Sequence, residues 1–415
     1  MSPPSEAQAA MTADAQSARG AWIVTLAAAA VLMVTMGARQ SLGLFISPLN
    51  TSTGLGITTI SLALAVAQFT WGAVQPIAGA FSDRYGARPV LLAGLVLLSL
   101  GTALTPFMSS GFGLIVSLGL LMAIGSGAGS FSVLIGAAAQ HLPAEKRGKA
   151  AGIVNAGGSF GQFVFAPISQ GLIQALGWMG AMWSLAVITL GALPLAGVVS
   201  RRPATPVQHK TPSAPWAALG DAMGNRSYLL LHAGFFTCGF HIAFLVTHLP
   251  GEVNLCGLPA SVASWSLAII GLSNIVGSLL AGTATGRFRS KYILAAMYGS
   301  RALLIAWYLV SPKTEATFYI FAVGLGLTWL ATVPPTAAIV GKLFGIRYLG
   351  TLFGLTLLSH QIGGFLGAWL GGIAISRNGD YQWMWYADMA LAAIAALVNL
   401  PIREAPVIAP RAAPA

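Results

Sequence analysis

Twelve apolar segments divide the chain, and each is long enough to cross a lipid bilayer. A transmembrane helix needs about 20 consecutive apolar residues. Six such segments precede the middle of the chain and six follow it, at 21–48, 57–81, 89–108, 112–138, 149–171, 179–199, 228–249, 261–285, 292–310, 316–341, 350–374 and 383–402. Because backbone polar groups in lipid must be satisfied within the segment, the runs predict helices. The expected fold class is all-α and integral to the membrane, with two six-helix bundles.

Charge is scarce and unevenly placed. Only 7% of the 415 residues are charged while 56% are hydrophobic, against about 25% charged in soluble domains. The net charge of +11 does not indicate nucleic-acid binding, because the helix assignment puts almost all lysines and arginines on one side. Only Lys313 and Arg377 fall on the other side. This positive-inside pattern predicts that the basic side, with both termini, is cytoplasmic. The partner it indicates is the lipid bilayer.

The remaining segments set the expected organisation. We predict a cytoplasmic tail over 1–20, a bundle over 21–200, a linker over 201–226, a second bundle over 227–402 and a tail over 403–415. The linker contains RRPATPVQHKTPSAP, which is too polar to span the membrane. The first 20 residues lack a basic stretch followed by an apolar core, so we expect a flexible tail and not a cleaved signal. The chain after Pro401 is also expected to be disordered.

A short basic loop occurs twice. GAFSDRYGARP begins at Gly79, and a degenerate copy, GTATGRFRSKY, begins at Gly282; in both, Arg follows the glycine by five residues and Arg or Lys follows it by nine. Two related halves with matching loops are typical of transporters. We expect these loops to gate the protein, since an aspartate can cap helix N-termini and arginines can bind helix carbonyls. Simple positive-inside anchoring is the alternative. The candidate gating residues are Gly79, Asp83, Arg84, Gly86, Arg88, Arg287 and Lys291.

Twelve helices in two halves, with GAFSDRYGARP after the second, resemble the major facilitator superfamily. A closer similarity is to its monocarboxylate and oxalate–formate transporter-like bacterial branch. The first run ends GARQSLGLFISPL, the fifth opens KRGKAAGIVNAGGSFG and the eleventh carries LGTLFGLTLLSHQIGGFLG. The resemblance implies alternating access for a small organic anion in a bacterial inner membrane. We expect a monomer that is neither an enzyme nor cofactor-dependent.

Arg39 is the leading substrate-binding candidate. It lies inside the first apolar run, where a guanidinium is costly unless it faces a partner or a wet cavity. Its charge is permanent and it can hold a carboxylate through two hydrogen bonds. In the resembled branch, a basic residue at this place faces the substrate path. The alternative is an arginine that extends along the helix to the membrane interface.

The eighth run departs from the resembled branch, which has Asp and, four residues later, Arg. This chain has Asn274 and Ser278 instead. Proton symport through that pair is therefore not expected. The two side chains lie one turn apart and can still hydrogen-bond a ligand.

Other polar residues fall on runs that line the central cavity in the resembled fold. A histidine in the membrane can carry a proton near neutral pH, but a hydrogen-bonded packing histidine is the alternative. A coupled proton and an exchanged anion both remain open. These further substrate-site candidates are Asn155, Gln162, His241, His360 and Gln361.

Arg301 lies midway in the ninth run, where we expect a structural role. Asp388 is an acidic residue deep in another apolar run, so we predict that Arg301 and Asp388 form a structural ion pair. Pro334 and Pro335 should bend the tenth helix and free carbonyls that polar neighbours must satisfy. Glycine stripes, with Gly157 and Gly161 in one run and Gly363, Gly367 and Gly371 in another, predict packing seams that can also slide between the halves.

Several functions are disfavoured by what the sequence lacks. It contains no phosphate-binding loop, metal-ligand set or Ser/His/Asp arrangement, so we expect secondary transport with no metal and no cofactor. Cys238 and Cys256 indicate no disulfide framework. An efflux pump for amphipathic compounds is the alternative function, and a membrane sensor is a third.

Overall fold

The computed structural model describes residues 6–142, 144–200, 222–345 and 349–406, and the side chains of 6–19, 83, 144–148 and 349–351 lie outside that description. Most of the expected linker and the end of the C-terminal tail also lie outside it. The backbone is helical from Glu6, where the sequence predicts a flexible tail. The first helix therefore begins before the apolar run that predicts it.

The described residues form the twelve expected spans. Within the part of the chain that the structure describes, nine helices are long and apolar enough to cross a membrane, and one of these, Lys149–Val199, contains two spans. Leu349–Asn378 and Gln382–Asn399 complete the set. In chain order the helices are α1 (Gly20–Thr53), α2 (Ile57–Ser82), α3 (Ala87–Phe107), α4 (Gly111–Ala139), α5 (149–176), α6 (178–199), α7 (Arg226–Leu255), α8 (Ala260–Ala284), α9 (Ser290–Val310), α10 (Glu315–Phe344), α11 (Leu349–Asn378) and α12 (Gln382–Asn399).

Gly177 separates α5 from α6. Its φ of 70° and ψ of 171° are non-helical, and a positive φ of this size is readily adopted only by glycine. The chain therefore reverses direction at this residue without a longer loop. This turn lies at the face opposite the termini, which we name the far face; the face that carries both ends of the described chain is the termini face.

The glycine stripes lie inside the halves and not between them. A side chain on Gly157 or Gly161 of α5 would meet the backbone of α1 at Ala29 or Met33. A side chain on Gly363 of α11 would meet the backbone of α7 in the same way. The expectation that these stripes form sliding seams between the halves is therefore wrong, because each stripe brings two helices of one half into backbone contact.

The two halves meet along α2–α11 and α5–α8. Near the far face, Thr58 Oγ1 donates to Ser376 Oγ at 2.7 Å. In the middle of the membrane, Asn274 Nδ2 donates to Ser159 Oγ at 2.8 Å. Among the residues that the structure describes, the side-chain hydrogen bonds between the halves all lie in the middle or toward the far face.

Helix α10 is divided as its prolines predict. A regular helix runs over Glu315–Thr328, a second over Val333–Phe344, and Pro334 and Pro335 open the second one. Proline has no N–H to donate and its ring excludes a normal helical turn before it. The break therefore exposes backbone groups deep in the bundle, and their partners are side chains from other helices.

Candidate functional site

Arg39 extends from α1 toward α2. Its Nη1 donates to Gln68 Oε1 at 2.6 Å, and its guanidinium carbon lies 4.2 Å from the centre of the Trp71 ring. The side chain is half-buried, and Nε has no partner among the described residues. No carboxylate in the described part of the chain forms an ion pair with it. The guanidinium thus keeps donor capacity and an uncompensated charge.

Gln68 connects Arg39 to the other half. Its Nε2 donates to Gln361 Oε1 on α11 at 2.9 Å, so the chain of hydrogen bonds runs α1–α2–α11. Both glutamines are buried. The amide of Gln68 therefore uses its oxygen for Arg39 and its nitrogen for the opposite half.

His360 lies next to Gln361 and is also buried. Its ring centre is 5.1 Å from that of Phe235, and Nδ1 has no partner within the described chain. Arg39 and Gln361 are therefore joined through Gln68, and His360 is the residue before Gln361 on α11.

Two cavities lie between the far face and the hydrogen-bonded chain of Arg39, Gln68 and Gln361. A small one of about 40 Å³ is lined by Arg39 and Gln68 together with residues of α7. A larger one of about 610 Å³ extends toward the far face. Gly43 and Thr247 line both. None of the described residues that line the larger cavity is charged, so Arg39 is the first fixed charge on the way inward.

Arg301 has a different environment. Its Nη2 donates to the carbonyl of Thr328 at 2.5 Å and to that of Trp329 at 3.3 Å. Both carbonyls belong to the end of the first segment of α10, where the helix breaks. A guanidinium at a helix C-terminus satisfies free carbonyls and opposes the helix dipole. Arg301 is fully buried, and its position supports the structural role that the sequence predicts.

The predicted Arg301–Asp388 ion pair does not form. Asp388 Oδ2 is hydrogen-bonded to Nδ1 of His241, and both side chains are fully buried. The pairing differs because α12 places Asp388 against α7, while the broken α10 offers Arg301 two carbonyls. His241 is thus paired inside the second half and does not line either of the two cavities beside Arg39.

Asn274, Ser278 and Gln162 lie on the seam between α5 and α8. Asn274 Oδ1 accepts from the backbone N–H of Leu330 at 2.9 Å and from Ser278 Oγ at 3.3 Å. Together with the bond from Nδ2 to Ser159, these bonds use both the oxygen and the nitrogen of the amide, and they connect α5, α8 and the break in α10. Gln162 is buried with Nε2 unpartnered among the described residues. Asn155 lies two turns nearer the termini face and is half-buried.

The loop residues expected to gate the protein lie on the termini face. Arg84, Arg88 and Arg287 are exposed, and the side chain of Asp83 lies outside the described residues. Gly86 has a φ of 84°, which suits the tight turn between α2 and α3. A methyl group added at Gly79 would lie 3.7 Å from Cβ of Ser132 on α4, in ordinary van der Waals contact.

Lys291, the last of the expected gating residues, contacts the chain after α12. Its backbone N–H donates to Glu404 Oε1 at 2.7 Å. Gating by these loop residues remains a prediction.

Two contacts are not predicted from the sequence. The prolines of α10 predict free carbonyls, but nothing in the sequence assigns these carbonyls to Arg301. Glu404 falls in the tail that the sequence predicts to be disordered, although this acid is close to a buried Ile402. That apolar residue after Pro401 is the signal that could have located the contact.

The family model of the Major Facilitator Superfamily matches residues 28–312 and 254–415. The chain belongs to the major facilitator superfamily. Proteins that resemble it include monocarboxylate transporter 13 of Rattus norvegicus, 27% identical over 92% of this chain and 89% of that protein. The fujikurins efflux protein of Gibberella fujikuroi is 26% identical over 74% of this chain and 65% of that one.

The fold of the superfamily is also found in solved structures. The crystal structure of the D-xylose–proton symporter superposes with a TM-score of 0.71, covering 92% of this chain and 97% of that one at 15% identity. At that identity the likeness concerns the fold alone. Family and fold together make the chain a multi-pass membrane transporter and not an enzyme.

Proposed function

We propose that the protein is a secondary transporter for a small organic anion, a monocarboxylate or a related carboxylate, by alternating access. The observation that carries the proposal is the environment of Arg39. It holds a permanent charge within a spanning helix, borders a cavity and has only a neutral amide and an aromatic ring as partners among the described residues. An intramembrane cation that borders a cavity and lacks a carboxylate partner fits an anionic ligand.

Gln68 gives this site a means of coupling binding to movement. A carboxylate that binds Arg39 through Nη1 would compete with the Gln68 oxygen for that donor. Displacing Gln68 from Arg39 also disturbs its bond to Gln361, which crosses between the halves. Substrate binding would thereby weaken a contact that holds the halves together, and a ligand shifts an equilibrium only through such differential contacts.

The similarity to monocarboxylate transporter 13 supports a carboxylate substrate. The lack of both an acid and an arginine at Asn274 and Ser278 separates this chain from the branch that it resembles. We infer that coupling, whether to a proton or to an exchanged anion, uses other groups. The proposal includes a monomer in a bacterial inner membrane, with both termini in the cytoplasm and the loops at 79–89 and 282–292 acting as gates.

The first test is thermal stabilisation of the detergent-purified chain by formate, acetate, L-lactate, pyruvate, oxalate and benzoate. A ligand that binds only the folded protein raises its melting temperature. We expect at least one carboxylate to stabilise the wild type and to have no effect on Arg39→Gln. Arg377→Gln, which removes an exposed arginine from the end of α11, is the matched control and should respond like the wild type.

The same ligands are then used for uptake into proteoliposomes. Dependence on an imposed pH gradient would identify proton coupling, whereas uptake that requires a carboxylate inside the vesicles would identify exchange. If no carboxylate stabilises or enters, the anion proposal fails.

An efflux pump for amphipathic compounds is the second candidate. The larger cavity has no charged lining residue in the described part of the chain, and one relative is named as an efflux protein. This candidate predicts that lipophilic cations or neutral drugs stabilise the wild type and Arg39→Gln equally.

A further inference from the structure

The second gating loop lacks an acidic residue at the position where the first loop has one. The two copies align at a constant offset, which places Gly286 opposite Asp83, while Arg287 and Lys291 match Arg84 and Arg88. Without an acid, the second loop cannot make the helix-capping contact expected of the first.

A carboxylate nevertheless reaches this loop, from the chain after α12. Glu404 Oε1 accepts a hydrogen bond from the backbone N–H of Lys291 at 2.7 Å. Its other oxygen, Oε2, accepts from Lys342 Nζ at 2.5 Å. Lys291 is in the first turn of α9 and Lys342 in the last turn of α10. One carboxylate therefore links the N-terminus of one helix to the C-terminus of the other.

The segment that carries Glu404 is fixed to the bundle, and the disorder expected after Pro401 is not found up to residue 406. Ile402 is completely buried. The N–H of Arg403 donates to Ser227 Oγ at the start of α7, at 3.0 Å, and Lys291 Nζ donates to the carbonyl of Leu400 at 2.8 Å. These contacts hold the carboxylate in place from both sides.

The environment of Glu404 favours its ionised form. Its side chain is only 8% exposed, whereas that of Lys342 is 40% exposed. Burial by itself raises the pKa of Glu404, but the N–H of Lys291 and the ammonium of Lys342 outweigh it, so the pKa lies below its usual value. Most isolated surface ion pairs contribute little, but this one also includes a backbone donor and a largely shielded acceptor.

We propose that Glu404 is the acidic member of the second gating loop and that its bond to Lys342 holds the termini-face segment of α10 in place. The break at Thr328–Thr332 separates this segment, Val333–Phe344, from the rest of α10. The segment can therefore move as a unit when its end is released. The contact can be tested without a transport assay, whereas its role in gating rests on the proposed function.

Amide hydrogen exchange of residues 333–345 in the purified full-length chain tests the contact without any substrate. Glu404→Gln keeps the shape of the side chain and removes its charge. We expect exchange in this segment to rise about tenfold, the effect of losing one charge-assisted hydrogen bond. Glu315→Gln is the control, because it removes an exposed acid from the first turn of α10, at the opposite end of that helix. It should leave the exchange rates of residues 333–345 unchanged.

Lys342→Met provides a second variant in case Glu404→Gln folds poorly. It should raise exchange similarly, and the double variant should add little to either single one. Unchanged exchange in both variants would overturn the proposal.

Transport of the carboxylate found in the stabilisation screen tests the gating role. We expect a several-fold lower turnover in Glu404→Gln, unchanged ligand stabilisation, and partial recovery in Glu404→Asp. Faster exchange with unaltered turnover would reduce Glu404 to a structural contact. If the wild type carries no carboxylate, the proposed function fails while the exchange data still decide whether Glu404 holds α10.

Discussion

Arg39 and Arg301 both place a guanidinium inside a spanning helix, but their partners differ. Arg39 contacts a glutamine side chain that is itself bonded across the halves, and it borders a cavity of about 40 Å³. Arg301 is bonded to two backbone carbonyls at a helix break and is completely buried. Side-chain partners can be exchanged during a transport cycle, whereas the carbonyls of a broken helix need a permanent donor. On the proposed function, the partner and not the charge alone distinguishes the substrate-binding arginine from the structural one.

Replacing Arg301 should have the largest effect on folding. Arg301→Met replaces the side chain with an unbranched apolar one and leaves the carbonyls of Thr328 and Trp329 without their donor. We expect a loss on the order of 3 kcal/mol in the free energy of unfolding, seen as a large fall in melting temperature and in the yield of monodisperse protein. Arg301→Lys should recover part of the loss. A variant that melts like the wild type would remove the distinction between the two arginines.

Replacing Arg39 should affect transport and not folding. Arg39→Gln removes a charge-assisted contact with the substrate, so we expect uptake to fall about 100-fold. The melting temperature without ligand should stay close to that of the wild type, since Arg39 is bonded to a side chain and not to the backbone carbonyls of a broken helix. Uptake in proteoliposomes and thermal melting of one preparation provide both quantities. A loss of folded protein equal to that of Arg301→Met would make Arg39 structural as well.

A double-mutant cycle on Asp388 compares its observed partner, His241, with the partner that the sequence predicts, Arg301. We expect His241→Gln and Asp388→Asn to be non-additive in unfolding free energy by about 2 kcal/mol, because the two side chains share a buried hydrogen bond. The cycle of Arg301→Met with Asp388→Asn should show a smaller coupling, since Arg301 donates to backbone carbonyls instead. The reverse order would restore the ion pair that the sequence predicts.

The smallest effect is expected at the cross-half glutamine. Gln361→Leu removes the acceptor for Gln68 but leaves Arg39 and its bond to Gln68 in place. We expect a change of about threefold to tenfold in ligand affinity, corresponding to one neutral hydrogen bond. Gln75→Leu, on the same helix as Gln68 but nearer the termini face, is the control. Equal effects of the two substitutions would show that Gln68 and Gln361 do not transmit binding between the halves.

Much of the fold could be predicted from local sequence, because bilayer thickness sets the length of a spanning helix and lipid excludes irregular backbone. The division of α10 also followed from Pro334 and Pro335. The partners of buried charges were harder to predict. Asp388 pairs with His241 and not Arg301 because the choice depends on helix rotation, which no single segment encodes.

The contacts of Glu404 and those of the glycine stripes both join segments that are far apart in the chain. Composition places Glu404 in a tail, while its actual position depends on Ile402 entering the core. Gly157 and Gly363 correctly indicate close packing, but a stripe of small residues does not specify which neighbour approaches it. Both outcomes are decided by the three-dimensional arrangement of the helices.

The contact of α7 with α11 at Gly363 and Gly367 limits how many parts of the protein can move independently. With no side chain between them, the two backbones have almost no space for relative translation, and the same holds for α1 and α5 at Gly157 and Gly161. Four helices near the site therefore have the degrees of freedom of two bodies. A displacement that begins at Gln361 on α11 is shared by α7, and one that begins at Arg39 on α1 is shared by α5, so a ligand bound there would move helix pairs and not single helices.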